Sequence, residues 1–193
     1  MPADLFGPPR PVHSLFFALM PDAQLRDALA DMAARIEVAN PLHATPAHRL
    51  HLTLYYIGES EGPRADWVAG AERAVERLLP VTPFAFELDR VAGFRGAPAP
   101  CVALVDPGHE SALSAFRQRL HDACRREGLP EAGHARFTPH VTLGRVTPML
   151  AAPIGIPPLR WQARTLALVH SVRGQSAYQT VGTWHLDADG PGP

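Results

Sequence analysis

HLTLYYIGE (residues 51–59) and FTPHVTLGRV (residues 137–146) carry the same four-residue pattern, His-apolar-Thr-Leu, beginning at His51 and at His140. Each copy lies in a run rich in β-branched and aromatic residues that alternates with period two, which predicts a strand. Successive side chains of a strand point to opposite faces. His51, Thr53 and Tyr55 are therefore expected on one face and Leu50, Leu52, Leu54 and Tyr56 on the other. In the second copy Thr138, His140, Thr142 and Gly144 share a face, with Phe137, Val141 and Leu143 opposite. The apolar face is the natural core face, so each His–Thr pair projects away from the core.

The flanking sequence supplies the other elements. VHSLFFAL (12–19) predicts a strand, and residues 21–39 predict a helix with Leu25, Leu29, Met32 and Ile36 on one stripe and Asp22 as its N-cap. A second helix follows Pro63, with Val68, Ala71, Val75 and Leu78 inward. A third, about residues 109–127, buries Leu113, Phe116, Leu120 and Cys124. FAFELDRVAGF (84–94) and CVALVD (101–106) predict a strand pair joined by RGAPAP. A proline-rich connector around APIGIPP (152–158) leads to two closing strands, WQARTLALVHSV (161–172) and AYQTVGTWHL (177–186). Helices and strands alternate imperfectly and several strands are sequential neighbours, so an α+β fold with antiparallel sheet is expected.

Two imidazoles converging on one phosphate can cleave a phosphodiester. With ordinary pKa values near 6.5, one can be neutral and accept a proton from water while the other is protonated and donates to the leaving oxygen. The threonine two residues along offers a hydroxyl to a phosphate oxygen on the same face. Arg136 shares the parity of His140 and is the first candidate to offset charge on the phosphorane; alternation puts Arg145 on the opposite face, in a structural role, unless a bulge turns it. Tyr55 and Phe17 could stack a nucleobase or pack in the core. Zinc on His43, His48 and His51 is disfavoured, because residues three apart near a strand face opposite ways and no carboxylate or cysteine completes the set. No metal or cofactor is expected.

Composition narrows the classes. The 193 residues carry a formal net charge of −1, which argues against coating long nucleic acid by charge. All 18 basic residues of the Lys+Arg count are arginine. The lack of lysine excludes a Walker-type phosphate loop, a pyridoxal Schiff base and a ligase adenylylated on lysine. Cys101 and Cys124 lack metal-ligand spacing and read as buried thiols of a reducing compartment. No apolar run reaches the roughly 18 residues of a membrane span, so a cytoplasmic protein is expected. The Pro- and Gly-rich ends, 1–11 and 187–193, are expected to be flexible, leaving one domain over 12–186.

Taken together, FFALMP (16–21), HLTLYYIGE (51–59), FTPHVTLGR (137–145) and HSVRGQSAYQTVGTWHL (170–186) resemble, in order and across residues 12–186, the two-histidine phosphoesterases. The similarity is to the LigT-like branch of 2'-5' RNA ligases and RNA 2',3'-cyclic phosphodiesterases. The resemblance implies a bilobal architecture: two antiparallel sheets related by a pseudo-twofold axis around a central groove, helices outside. It implies His51 and His140 as the catalytic pair, Thr53 and Thr142 as phosphate binders, and Ser171 as a substrate contact. The implied activity is hydrolysis of 2',3'-cyclic phosphate ends of RNA or small nucleotides to 2'-phosphomonoesters, with ATP-independent 2'-5' ligation as its reverse, by a monomer without an obligate protein partner. Cleavage of 2'-5' linked oligoadenylate or small cyclic nucleotides, and a non-catalytic nucleotide-binding module, are the alternatives. The chain departs from the pattern at Thr138, where many relatives carry a basic residue, and at HSV (170–172), where many carry Arg-Ser-Glu. His170 is the expected partial replacement for that arginine.

Overall fold

The computed structural model describes residues 11–39, 41–132, 137–175 and 177–186. The terminal segments 1–11 and 187–193, apart from Pro11, and the candidate Arg136 lie outside the described residues. In chain order the elements are β1 (His13–Leu19), α1 (Ala23–Ala39), β2 (Leu42–Ala44), β3 (Leu52–Ser60), α2 (Ala65–Leu78), β4 (Phe84–Gly93), β5 (Ala99–Val105), α3 (Ser111–Arg126), β6 (His140–Val146), β7 (Ile154–Ala163), β8 (Thr165–Val172) and β9 (Gln179–His185). The fold is α+β, and every strand pairing is antiparallel.

The helices form where periodicity placed them. Asp22 caps α1, its Oδ1 accepting the Leu25 N–H at 2.8 Å. Leu25, Leu29 and Ala33 of α1, Ala71, Val75 and Leu78 of α2, and Leu113, Phe116, Leu120 and Cys124 of α3 enter one core with Leu15, Phe17, Leu52, Leu88, Val141 and Leu168 of the sheet. All three helices thus cover the same sheet face. Burial pushes the thiols of Cys101 and Cys124 up to about 11 and about 12, so both stay protonated and unreactive at neutral pH. Among the described residues the opposite face carries a small cluster, Phe16, Ala18, Ala167 and Val169.

The strands form one sheet in the order β7-β4-β5-β6-β3-β1-β8-β9, with β2 lying against β6. Its two halves, β7-β4-β5-β6 and β3-β1-β8-β9, meet at a single residue pair, Leu52 opposite Val141. The two expected sheets are therefore continuous through one seam. Beyond it β2 takes over the edge of β6, pairing Leu42 with Val146 and Ala44 with Gly144.

Two strand expectations need correction. The proline-rich connector is itself strand, the first part of β7, and the run predicted as one closing strand over 161–172 is divided at Arg164 between β7 and β8. Pro157 and Pro158 fit because β7 is an edge strand and they fall in a register irregularity, between Leu159 opposite Leu88 and Gly155 opposite Arg90. The short β2 was not expected. Three residues show no usable period, and this strand is defined by its partner.

Both motif strands bulge at the same motif position. On β3, Thr53 and Tyr55 oppose the consecutive residues Ala18 and Phe17, leaving Leu54 extra. On β6, Thr142 and Gly144 oppose the consecutive residues Val102 and Cys101, leaving Leu143 extra. A bulge reverses the phase of alternation beyond it. Tyr55 consequently turns into the core, Tyr56 turns out, and Arg145 is exposed while Val146 is buried.

Gly144 is fixed by the close approach of β2. A Cβ there would lie 2.5 Å from the His43 carbonyl oxygen and 3.0 Å from the Ala44 Cα, both backbone atoms that cannot rotate aside. Gly144→Ala is expected to lower stability by about 1–3 kcal/mol in urea unfolding. An unchanged midpoint would mean that β2 is free to move off.

Candidate active site

The seam determines the site. Leu52 and Val141 are both fully buried on the helix-covered face. Their sequence neighbours therefore point to the other face, which sets His51, Thr53, His140 and Thr142 side by side there. All four are half-buried.

The imidazoles are held alike. His51 Nδ1 lies 2.6 Å from the carbonyl oxygen of Arg49, and His140 Nδ1 lies 2.7 Å from that of Thr138, in each case two residues upstream. A carbonyl can only accept, so each Nδ1 carries the proton and each Nε2 is the unprotonated, basic nitrogen of the neutral ring. His51 Nε2 is within 3.1 Å of Thr53 Oγ1. An aromatic ring packs on each histidine: Phe16 stacks on His51 at 5.1 Å between centroids, and Phe94 meets His140 edge-on at 5.0 Å. Tyr178 closes over His51 edge-on at 5.6 Å.

Burial lowers the pKa of His51 and of His140 below 6.5, and it outweighs the opposing effect of each carbonyl hydrogen bond. His51 is lowered further by the positive charges of a protonated His140 and of Arg49. The arrangement can thus hold one proton between two imidazoles and resists holding two.

The sequence-derived candidates divide. His51, Thr53, His140 and Thr142 come together as expected. Tyr55 does not join them: it is buried in the core, its hydroxyl donating to the Pro130 carbonyl at 3.0 Å. Phe17 is also core, packed near Trp184. Their neighbours Phe16 and Tyr56 occupy the site face instead, a one-residue displacement that on β3 follows from the Leu54 bulge. Ser171 does lie on this face, lining a cavity of about 500 Å³ with Ser14 and Arg49. His170 does not stand in for an arginine beside it. Alternation along β8 sends it to the helix side, where its Nε2 sits 2.8 Å from His13 Nδ1. Among the described residues no three of His, Cys, Asp and Glu converge as a metal-holding cluster, and His43 and His48 are both exposed.

Arg49 was missed. It shares the parity of His51, the argument that singled out Arg136 for His140, and its guanidinium lies 4.1 Å over the Tyr178 ring. Phe94 and Tyr178 carried no local signal, since both come from segments flanking distant strands.

Comparison with known proteins bears on this geometry. The family described as the 2'-5' RNA ligase superfamily matches residues 21–175. Escherichia coli LigT in its apo form superposes with a TM-score of 0.70 at 22% identity, covering 93% of this chain and 99% of that one. TT0787 of Thermus thermophilus gives 0.73 at 22% identity, with 92% and 100% covered. E. coli LigT complexed with 3'-AMP gives 0.69 at 23%, with 91% and 98% covered. At these identities the likeness is one of fold. No curated protein sequence matches the chain. Among the described residues no helix is long and apolar enough to cross a membrane.

In an NMR titration of the imidazoles, His51 and His140 are both expected to titrate below pH 6.5. His140→Gln, which removes a neighbouring positive charge, should raise the His51 midpoint. A His51 midpoint that stays put would show that the two rings do not share a site.

Proposed function

The chain belongs to the 2'-5' RNA ligase superfamily, and from that premise we propose that it is a phosphodiesterase opening 2',3'-cyclic phosphates of RNA ends or small nucleotides to 2'-phosphomonoesters by acid/base catalysis. The observation that carries this reading is the matched pair of imidazoles, each tied through Nδ1 to a carbonyl with Nε2 left for chemistry. The 3'-AMP bound by E. coli LigT, a nucleotide with its phosphate on the ribose 3' oxygen, supports the substrate class.

In the hydrolytic step, His140 Nε2 takes a proton from water as the water oxygen bonds to phosphorus. The bond from phosphorus to the 3' oxygen breaks, and that oxygen receives the proton from His51. Thr53 and Thr142 donate hydroxyl hydrogen bonds to the non-bridging oxygens. With an RNA 5'-hydroxyl in place of water the same steps make a 2'-5' linkage without ATP; at about 55 M water, hydrolysis dominates. These transfers employ only groups of the chain, so activity should persist in EDTA.

A second division of labour is favoured by Arg49. Its charge opposes a proton on His51, so in the free protein the shared proton is better placed on His140, making His51 the base. The two divisions differ in pH dependence. Loss of the acid removes the alkaline limb of the rate profile, and loss of the base removes the acidic limb.

His51→Ala and His140→Ala should each lower kcat/KM on an oligoribonucleotide 2',3'-cyclic phosphate by roughly 100- to 10,000-fold. A binding module would instead show no turnover in the unaltered chain and would keep its nucleotide affinity in both variants. The kcat/KM profile should be a bell, because one ring must be neutral and one protonated. Its maximum should lie on the acid side of pH 6.5, since both histidines are shifted down. A plateau that extends unchanged above about pH 8 would contradict the two-histidine reading.

A further inference from the structure

Beside His51 lies a polar cavity of about 500 Å³, lined by Ser14, Arg49, Ser171, Val172, Arg173, Gly174 and Gln175. Its two arginines differ. Arg173 already has an anion, Glu59, at 3.0 Å, and Glu59 also accepts from Tyr56 at 3.3 Å. Arg49 has none among the described residues. Its guanidinium is laid against the Tyr178 ring, and its Nε is buried without a hydrogen-bond partner. A half-buried cation with an orphaned donor is costly unless an anion completes it. The planar fork of a guanidinium fits two phosphate oxygens. Ser14 and Ser171 add hydroxyls, and Gly174, at φ +87° with open space where a Cβ would be, leaves the rim unobstructed. The cavity adjoins the reacting centre: His51 Nδ1 donates to the Arg49 carbonyl, and the Arg49 guanidinium and the His51 ring both pack on the Tyr178 ring, at 4.1 Å and 5.6 Å from its centroid.

We propose that this cavity is a second anion subsite, which receives the phosphate on the 5' side of the nucleoside whose cyclic phosphate is opened. The inference rests on the phosphodiesterase reading above and extends it: the preferred substrate carries two phosphates separated by one nucleoside, and a nucleoside 2',3'-cyclic phosphate alone leaves Arg49 without its anion. Phosphate is the shared chemistry, and it comes either from a 5'-phosphomonoester or from the phosphodiester of a longer RNA.

Two measurements test it. The first compares kcat/KM for adenosine 2',3'-cyclic phosphate, the same compound carrying a 5'-phosphate, and a dinucleotide ending in the cyclic phosphate. The 5'-phosphorylated substrate should be preferred roughly 10- to 100-fold, the range of a charge-assisted contact. If the dinucleotide shares the preference, the subsite accepts a diester; if it does not, the subsite requires a monoester. Arg49→Met should bring the preference close to one, and the milder Ser171→Ala should reduce it a few-fold.

The second measurement is calorimetric binding of adenosine 3',5'-bisphosphate against 3'-AMP, which needs no turnover. The bisphosphate should bind at least about tenfold tighter to the unaltered protein, and no tighter than 3'-AMP to Arg49→Met. Equal affinities in the unaltered protein overturn the subsite. So does an equal loss of both ligands in Arg49→Met, which would place the guanidinium on the reacting phosphate. If the affinity difference holds while no cyclic phosphate is opened, the subsite stands and the phosphodiesterase reading falls.

Discussion

One residue pair joins the halves of this sheet. Leu52 and Val141 oppose each other across the seam, both fully buried against the helices. Because side chains alternate along a strand, burying that pair on one face presents its four neighbours, His51, Thr53, His140 and Thr142, on the other. The hydrophobic effect that seats two aliphatic side chains thereby aligns two imidazoles and two hydroxyls that lie far apart in the chain. A slip of one residue by either strand at the seam would turn that strand's histidine into the core and separate the pair.

Beyond the seam the strands depart from regularity in step. The leucine of each His-apolar-Thr-Leu motif is extra in its ladder, so the strand reverses phase just after the residues that face the site. Each phase reversal lets one strand serve two requirements. The residues before it present chemistry, whereas Tyr55 on β3 and Val146 on β6, beyond the bulges, return to the core. Gly144 completes the arrangement on β6, where β2 passes too close for any side chain.

The electrostatics of the site favour an anion. Two partly desolvated imidazoles oppose double protonation, and Arg49 adds a charge that no carboxylate among the described residues offsets. Six other arginines, Arg64, Arg73, Arg77, Arg90, Arg117 and Arg173, each meet a carboxylate; what sets Arg49 apart is its buried Nε without a hydrogen-bond partner. A bound phosphate would offset Arg49 and favour a proton on the histidine pair, which couples ligand binding to the protonation state that acid/base chemistry requires.

What is local was legible in the chain: three amphipathic helices with their inward stripes, the Asp22 cap, the two motif strands, and the parity that puts His next to Thr on one face. These depend on periods of about 3.6 and two and on capping chemistry, all of which act over a few residues. The sequence misplaced whatever depends on a partner. Tyr55 and Phe17, each open between base stacking and core packing, are both core, and Tyr56 and Phe16 stand on the site face; for Tyr55 the cause is the Leu54 bulge, a property of two paired strands. The segment 152–158 is largely strand despite its prolines because it lies at a sheet edge, and His170 meets His13 through a pairing of β1 with β8. Which aromatic rings hold the histidines, and that Arg49 stands without a carboxylate beside His51, came from folding alone, since these are contacts between segments that local periodicity cannot align.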